Sequence, residues 1–250
     1  MSSYLHIEDN DLSRAWARAF LGVMHAPGKE VSPLVVTITD FTDGYPKEND
    51  TVRQLLDTAL TQAQQRSCQT VASTIFPRSL WNPERDRAEL FERYISIAPS
   101  LRKHKGNSYG IYFERLIAFG PNKINQLEHI IRTRNAGNHR RSALQASLFD
   151  PASDHTGQRQ RGFPCLQQVA FAPYGEYGLV VTGFYATQYL FERAYGNYLG
   201  LCDLGCFVAK ELGLQLTQLN CMANIALPGK PNKAAYDVLM PELQQIIESE

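Results

Sequence analysis

Two side chains capable of chemistry stand inside a stretch that is otherwise apolar. Phe163-Pro164-Cys165-Leu166-Gln167-Gln168 follows a polar loop, Asp150 to Gln160, and leads into Val169-Ala170-Phe171, a run with buried-strand character. A thiol at such a loop-to-strand junction can face a cavity, and it becomes a nucleophile once neighbouring cations favour its thiolate. Asn197 opens the apolar segment that runs through Phe207-Val208-Ala209 to Gly213 and reads as a helix. Its amide offers one acceptor and one donor in a fixed plane, a pattern suited to the edge of a small polar heterocycle. Arg140-Arg141 adds two planar guanidinium forks that match phosphate oxygens. The bland alternatives are a buried thiol acting as a small hydrophobe and an asparagine acting as an N-cap.

At these residues the chain resembles the thymidylate synthase family, including its pyrimidine hydroxymethylase branches. Pro164-Cys165 is similar to the family's nucleophile pair, and Asn197 to its base-reading asparagine, without a gap between the two. His139-Arg140-Arg141, after the helical segment Ile124-Asn125-Gln126-Leu127, resembles the family's adjacent arginines, and Tyr109-Gly110 with Arg115-Leu116 resembles its Tyr-Gly segment. The likeness runs from Tyr109 to Leu214. It implies an α+β fold with a mixed or antiparallel sheet flanked by helices, and a single thymidylate synthase-like domain over residues 1–250. It further implies C5 methyl or hydroxymethyl transfer to a uracil-type nucleotide, with Cys165 as nucleophile and Arg140, Arg141, Asn197, Tyr109 and Gln167 binding substrate. The donor would be 5,10-methylenetetrahydrofolate, and the protein a homodimer in which Arg140 and Arg141 reach the phosphate held by the partner. Asparagine rather than aspartate at position 197 leans toward uracil over cytosine.

The departures from the family pattern are specific. Val71-Ala72-Ser73-Thr74-Ile75-Phe76-Pro77 falls where the family keeps a proton-moving glutamate, and contains none. The family's own-chain phosphate arginine falls on Ala186, its folate-contacting aspartate on Tyr189, and its ribose ligands on Leu227 and Gly229; Leu166 replaces the histidine beside the nucleophile. Arg193 stands seven residues from the missing arginine, and Glu192 and Asp203 are the candidates for the missing acid. A second reading is therefore a pyrimidine-nucleotide-binding or regulatory homologue without folate chemistry, and a third is folate-free chemistry on a C6-activated ring.

Composition sets the frame. A chain of 250 residues, 44% hydrophobic and 20% charged, can bury one large core. Twenty-five basic and twenty-five acidic residues cancel, which argues against nucleic acid or acidic lipid as a partner. No apolar run is long enough to span a bilayer, and the first residues lack a basic segment followed by an apolar one, so a cytoplasmic protein is expected. Five cysteines without a Cys-x-x-Cys pair suit a reducing compartment. Cys202, Cys206 and Cys221 could share a metal, but read better as buried thiols, and no metal is expected.

Periodicity supplies the elements. Asn10 or Asp11 caps a helix with Leu12, Trp16, Ala19, Phe20 and Val23 on one face, ending near Ala26-Pro27-Gly28. Pro33 to Thr39 reads as a strand, Thr51-Val52-Arg53-Gln54 as a capping box, and Asn82-Pro83-Glu84 as a helix start with Phe91, Tyr94, Ile95 and Ala98 facing inward. Asn122 is expected to cap Ile124 to Arg134. Strands are expected over Arg141 to Phe149, Cys165 to Phe171 and Leu179 to Tyr185, with a turn at Pro173-Tyr174-Gly175. Only Gly28-Lys29 stands where the family that the chain resembles carries an arginine-bearing, glycine-rich phosphate loop, and Lys29 reads as a solvated loop residue.

Overall fold

The computed structural model describes residues 3–107, 110–137, 140–155, 157, 164–230 and 233–249. β1 (Ser3–Asp9), α1 (Leu12–His25) and β2 (Val31–Ile38) come first, then α2 (Asp50–Gln62), α3 (Cys68–Ile75), α4 (Arg87–Arg102), α5 (Tyr112–Ile117) and α6 (Gln126–Asn135). β3 (Gln145–Ser147), α7 (Pro151–Asp154), β4 (Leu166–Tyr174), β5 (Gly178–Tyr189), α8 (Tyr195–Glu211), β6 (Gln215–Leu227) and α9 (Lys233–Glu248) follow. The strands form one six-stranded sheet in the order β1-β2-β6-β5-β4-β3. β1/β2 and β5/β6 pair in parallel and the other neighbours antiparallel, so the fold is α+β with a mixed, open sheet.

Period-2 alternation divides the sheet into two unlike faces. Val36, Cys221, Gly183 and Val169 lie side by side in register and are buried, on the face that α1 and α8 cover. One residue along, Val35, Met222, Phe184 and Gln168 form a row that stays partly open, with Met222 37% exposed. Next to it Thr37 Oγ1 and Gln218 Nε2 both donate to Asn220 Oδ1, at 3.1 and 2.8 Å. This face mixes apolar side chains with a saturated polar net, the composition of a surface rather than of a core.

α8 is apolar all round, and every residue from Tyr195 to Ala209 is buried, as such a helix must be. Its close approach to α3 depends on Gly196 and Gly200. A Cβ at either would stand 2.5 Å from the Cys68 carbonyl oxygen or 2.7 Å from that of Ala72. At the other end of the core, Trp16 of the expected α1 stripe stacks on Phe20 at 5.5 Å and donates its indole N–H to the Leu190 carbonyl at 2.8 Å. Leu190 begins a π-helical turn (Leu190–Ala194) that runs directly into α8.

The α1 stripe, its Asp11 cap and the Ala26-Pro27 stop stand as expected, because a residue before proline leaves the helical region. Several boundaries do not. Asn49, not Thr51, caps α2, accepting from the N–H groups of Thr51 and Val52. Asn82-Pro83 makes a turn, and α4 starts at Arg87 under Asp86, with Glu89 in the first turn. Ile95 is 46% exposed and Leu90, at 2%, takes its place in the core. Asn125 rather than Asn122 caps α6. The strand expected over Arg141 to Phe149 shrinks to β3, with a 3-10 turn over Arg141–Ala143, while β4 and β5 extend to Tyr174 and Tyr189. β1, which lacks a strong apolar alternation, was not anticipated; it is an edge strand.

Candidate active site

Where β5 ends, β4 begins and α8 starts, the chain encloses a cavity of about 360 Å³. Cys165 and Asn197 both line it, so the two residues singled out in the sequence share one site. Of the five thiols, Cys165 alone is not fully buried. Its main chain is held on both sides: its N–H donates to the Tyr112 hydroxyl at 3.2 Å, and its carbonyl accepts from Ala186 N–H at 2.9 Å. Leu166 N–H donates to the same Tyr112 oxygen at 3.4 Å. The loop-to-strand junction is thereby held through its main chain.

Asn197 is not at the helix start. Ala194 occupies the N-cap in αR geometry as the π turn continues into α8, and Asn197 lies in the first turn beyond it. The capping role is thus closed to it. Asn197 is 5% exposed, and among the described residues its side chain has no hydrogen-bond partner. The neighbouring buried amide, Gln188, differs: it accepts from Tyr198 Oη at 3.2 Å and donates to Cys221 Sγ at 3.5 Å. The amide is not sealed off but open to the cavity, where the edge of a ligand could pair with it.

Among the described residues the lining carries four basic side chains, Arg66, Lys105, Arg193 and Lys230, against one carboxyl, Glu192. Arg66 bonds only to neutral groups, Asn107 Oδ1 at 3.0 Å and His104 Nδ1 at 2.9 Å, and neither it nor Arg193 forms an ion pair among the described residues. Such a site favours an anion. Burial raises the Cys165 thiol above its ordinary value, and the Arg193 charge opposes that rise. The other thiols are deeper: burial pushes Cys206 and Cys221 up to about 12, and Cys202 well above the ordinary range. Among the described residues no group of three His, Cys, Asp or Glu side chains is arranged to hold a metal ion.

These electrostatics predict a pH dependence. Cys165 alkylation by iodoacetamide, followed by mass spectrometry, is expected to accelerate as pH rises past the ordinary thiol range, because burial shifts the thiolate upward. Arg193→Gln is expected to slow it at pH 8, because the charge that favours the thiolate is removed. An unchanged rate would place Arg193 outside the thiol's field.

The remaining expected site residues are elsewhere. Arg140 and Arg141 are exposed and do not line the cavity, and Arg140 Nε donates to Ser142 Oγ at 3.0 Å. Gln167 is turned back to the Pro164 carbonyl at 2.6 Å and is absent from the lining. Tyr109 lies outside the described residues, although Gly110 beside it lines the cavity. Lys29 is exposed in a 3-10 turn. Asp203 is buried away from the cavity, 3.8 Å from Arg78, and desolvation pushes it up to about 7. Arg66, Tyr112, Gln188 and Lys230 carried no local signal in the sequence. No protein-family model and no curated protein matches this chain.

Proposed function

We propose that this cavity binds a uracil-type nucleotide and that Cys165 adds to C6 of the ring. The supporting observation is the pairing of a half-buried thiol with a buried, unpartnered Asn197 amide in one electropositive cavity. C5 of a pyrimidine is a poor nucleophile. When Cys165 Sγ bonds to C6, the C5–C6 π electrons pass to the ring carbonyl, and the resulting enolate can attack an electrophile through C5. Asn197 would pair with N3–H and the adjacent exocyclic oxygen, and Arg66 and Arg193 suit the phosphate.

With a one-carbon electrophile the outcome is C5 methyl or hydroxymethyl transfer. Its absence leaves C5 hydrogen exchange. The folate implied by the resemblance does not find the family's aspartate here, since Tyr189, 39% exposed at the cavity, stands in its place; the segment Val71 to Pro77, of which Val71 and Thr74 line the cavity, likewise holds no proton-moving glutamate. No step in this reading passes through folate. That same observation favours the second reading, a nucleotide-binding homologue without folate chemistry. The two are separated by incubating the protein with uridine and deoxyuridine monophosphates in heavy water: loss of the C5 proton signal supports catalysis, and protection of Cys165 from alkylation without exchange supports binding alone.

Base choice follows from Asn197. Uracil nucleotides are expected to bind more tightly than cytosine nucleotides of the same sugar and phosphate state, by roughly 5- to 150-fold, the worth of one mismatched buried polar pair. Asn197→Asp is expected to narrow or reverse that gap. Calorimetric titration of both bases decides it; equal affinities in the parent chain would show that Asn197 does not read the base.

Homodimerisation is part of the same proposal. The partly open sheet face with Val35, Phe184 and Met222, together with the exposed Arg140 and Arg141, suits a second copy packed against it. Sedimentation at micromolar concentration is expected to give a dimer; a monomer there would remove the cross-subunit role of the arginine pair. No described helix is long and apolar enough to cross a membrane.

A further inference from the structure

Among the described residues Glu192 is the only carboxyl lining the cavity, and the fold makes room for it in a particular way. It sits in the π turn one residue before Arg193 and five before Asn197, and it is buried. Both carboxyl oxygens lie 3.3 Å from the main-chain N–H of Lys230, and among the described residues Glu192 makes no ion pair. Gly229 has a φ of +113°, and a Cβ there would stand 1.8 Å from Glu192 Oε2. The turn after β6 therefore has to be side-chain-free at this point for the carboxyl to be housed. Charged and titratable neighbours are Arg193 on the same turn, Lys230 after β6, and Tyr236 on α9; Arg66 and Lys105 line the same cavity. Desolvation nonetheless raises Glu192 above its ordinary value, against the opposing Lys230 N–H and the Arg193 and Lys230 charges.

We propose that Glu192 is the proton carrier for C5 of the bound ring, an assignment that rests on the reading of Cys165 as the C6 nucleophile. After Sγ bonds to C6, the enolate electrons return to form a C5–H bond with the proton of the Glu192 carboxyl, leaving a 5,6-dihydro thioether and a carboxylate. The carboxylate then removes the original C5 hydrogen, the C5–H pair re-forms the C5–C6 double bond, and the C6–S pair leaves with Sγ as thiolate. The net change in heavy water is one hydrogen exchanged for deuterium, with no oxidant or second substrate. Other lining groups are poorly placed for this task. Burial raises the Tyr112 hydroxyl far above its ordinary value, so neither it nor an arginine releases its proton near neutral pH.

The test measures C5 deuterium exchange of uridine and deoxyuridine monophosphates by NMR in the full chain and in Glu192→Gln, with Glu192→Asp as a second variant. Glu192→Gln keeps an oxygen for Lys230 N–H, and thermal melting checks that it folds. The expected result is exchange slowed by about 10²-fold or more in Glu192→Gln, while nucleotide still binds and still protects Cys165 from alkylation. The limb of the rate–pH profile belonging to Glu192 is expected to be lost in Glu192→Gln and retained, shifted, in Glu192→Asp. Exchange within threefold of the parent, with the same pH profile, overturns the role of Glu192 and leaves the Cys165 reading intact. A parent chain that binds nucleotide over Cys165 but never exchanges overturns the proton role too. One in which no nucleotide protects Cys165 overturns the reading on which it rests.

Discussion

Replacing Cys165 by serine is expected to lower C5 exchange on uracil nucleotides by roughly 10³-fold or more while leaving the fold and nucleotide affinity close to the parent's. A serine hydroxyl is far less acidic than a thiol and a much poorer nucleophile near neutral pH, so addition at C6 is expected to stop. The fold is expected to tolerate the change because the main chain of the junction is itself held, by Tyr112 and Ala186. No other thiol can substitute: Cys68, Cys202, Cys206 and Cys221 are buried away from the cavity. NMR exchange and thermal melting of the variant check both halves. Exchange retained in Cys165→Ser would remove the nucleophile from the scheme, and collapse of the fold would make the thiol a packing residue.

Trp16→Ala is expected to cost about 3–5 kcal/mol of stability, the range for truncating a fully buried aromatic. The ring is completely buried, stacks on Phe20, meets Tyr195 edge-on at 5.7 Å, and ties the Leu190 carbonyl through its N–H. The last contact matters for the site, since Leu190 begins the turn that carries Glu192 and Arg193. Urea unfolding should show the midpoint falling with the slope unchanged, and Cys165 alkylation should change in rate as the turn loosens. A loss below about 1 kcal/mol would mean that the π turn is held from elsewhere, since that is the scale of a single net hydrogen bond.

How much of this could be read from residue order differs between elements and site. The α1 stripe was legible because Leu12, Trp16, Phe20 and Val23 recur at helical spacing and a proline follows Ala26. The central strands were legible as apolar runs. Caps were misplaced by a few residues at Asn49, Asp86 and Asn125, where several polar side chains compete. The winner there is set by where packing lets the helix begin, which no local pattern records. Ile95 and Leu90 exchanged places for the same reason.

Cys165 and Asn197 were legible as a pair by type and spacing, and the mixed α+β class followed from the run of helices and hairpin-linked strands. The sequence alone could not decide that Asn197 lies inside α8 with its amide unpartnered, because the N-cap reading fails only once the π turn is seen to continue into the helix. Nor could it assemble Arg66, Tyr112, Glu192 and Lys230 around the thiol, or turn Asp203, Gln167, Arg140 and Arg141 away from it. Those residues come from five elements and loops far apart in the chain. Their convergence depends on sheet order and on the glycine-mediated approach of α3 to α8, contacts whose energy resides in tertiary packing and leaves no periodic trace along the chain.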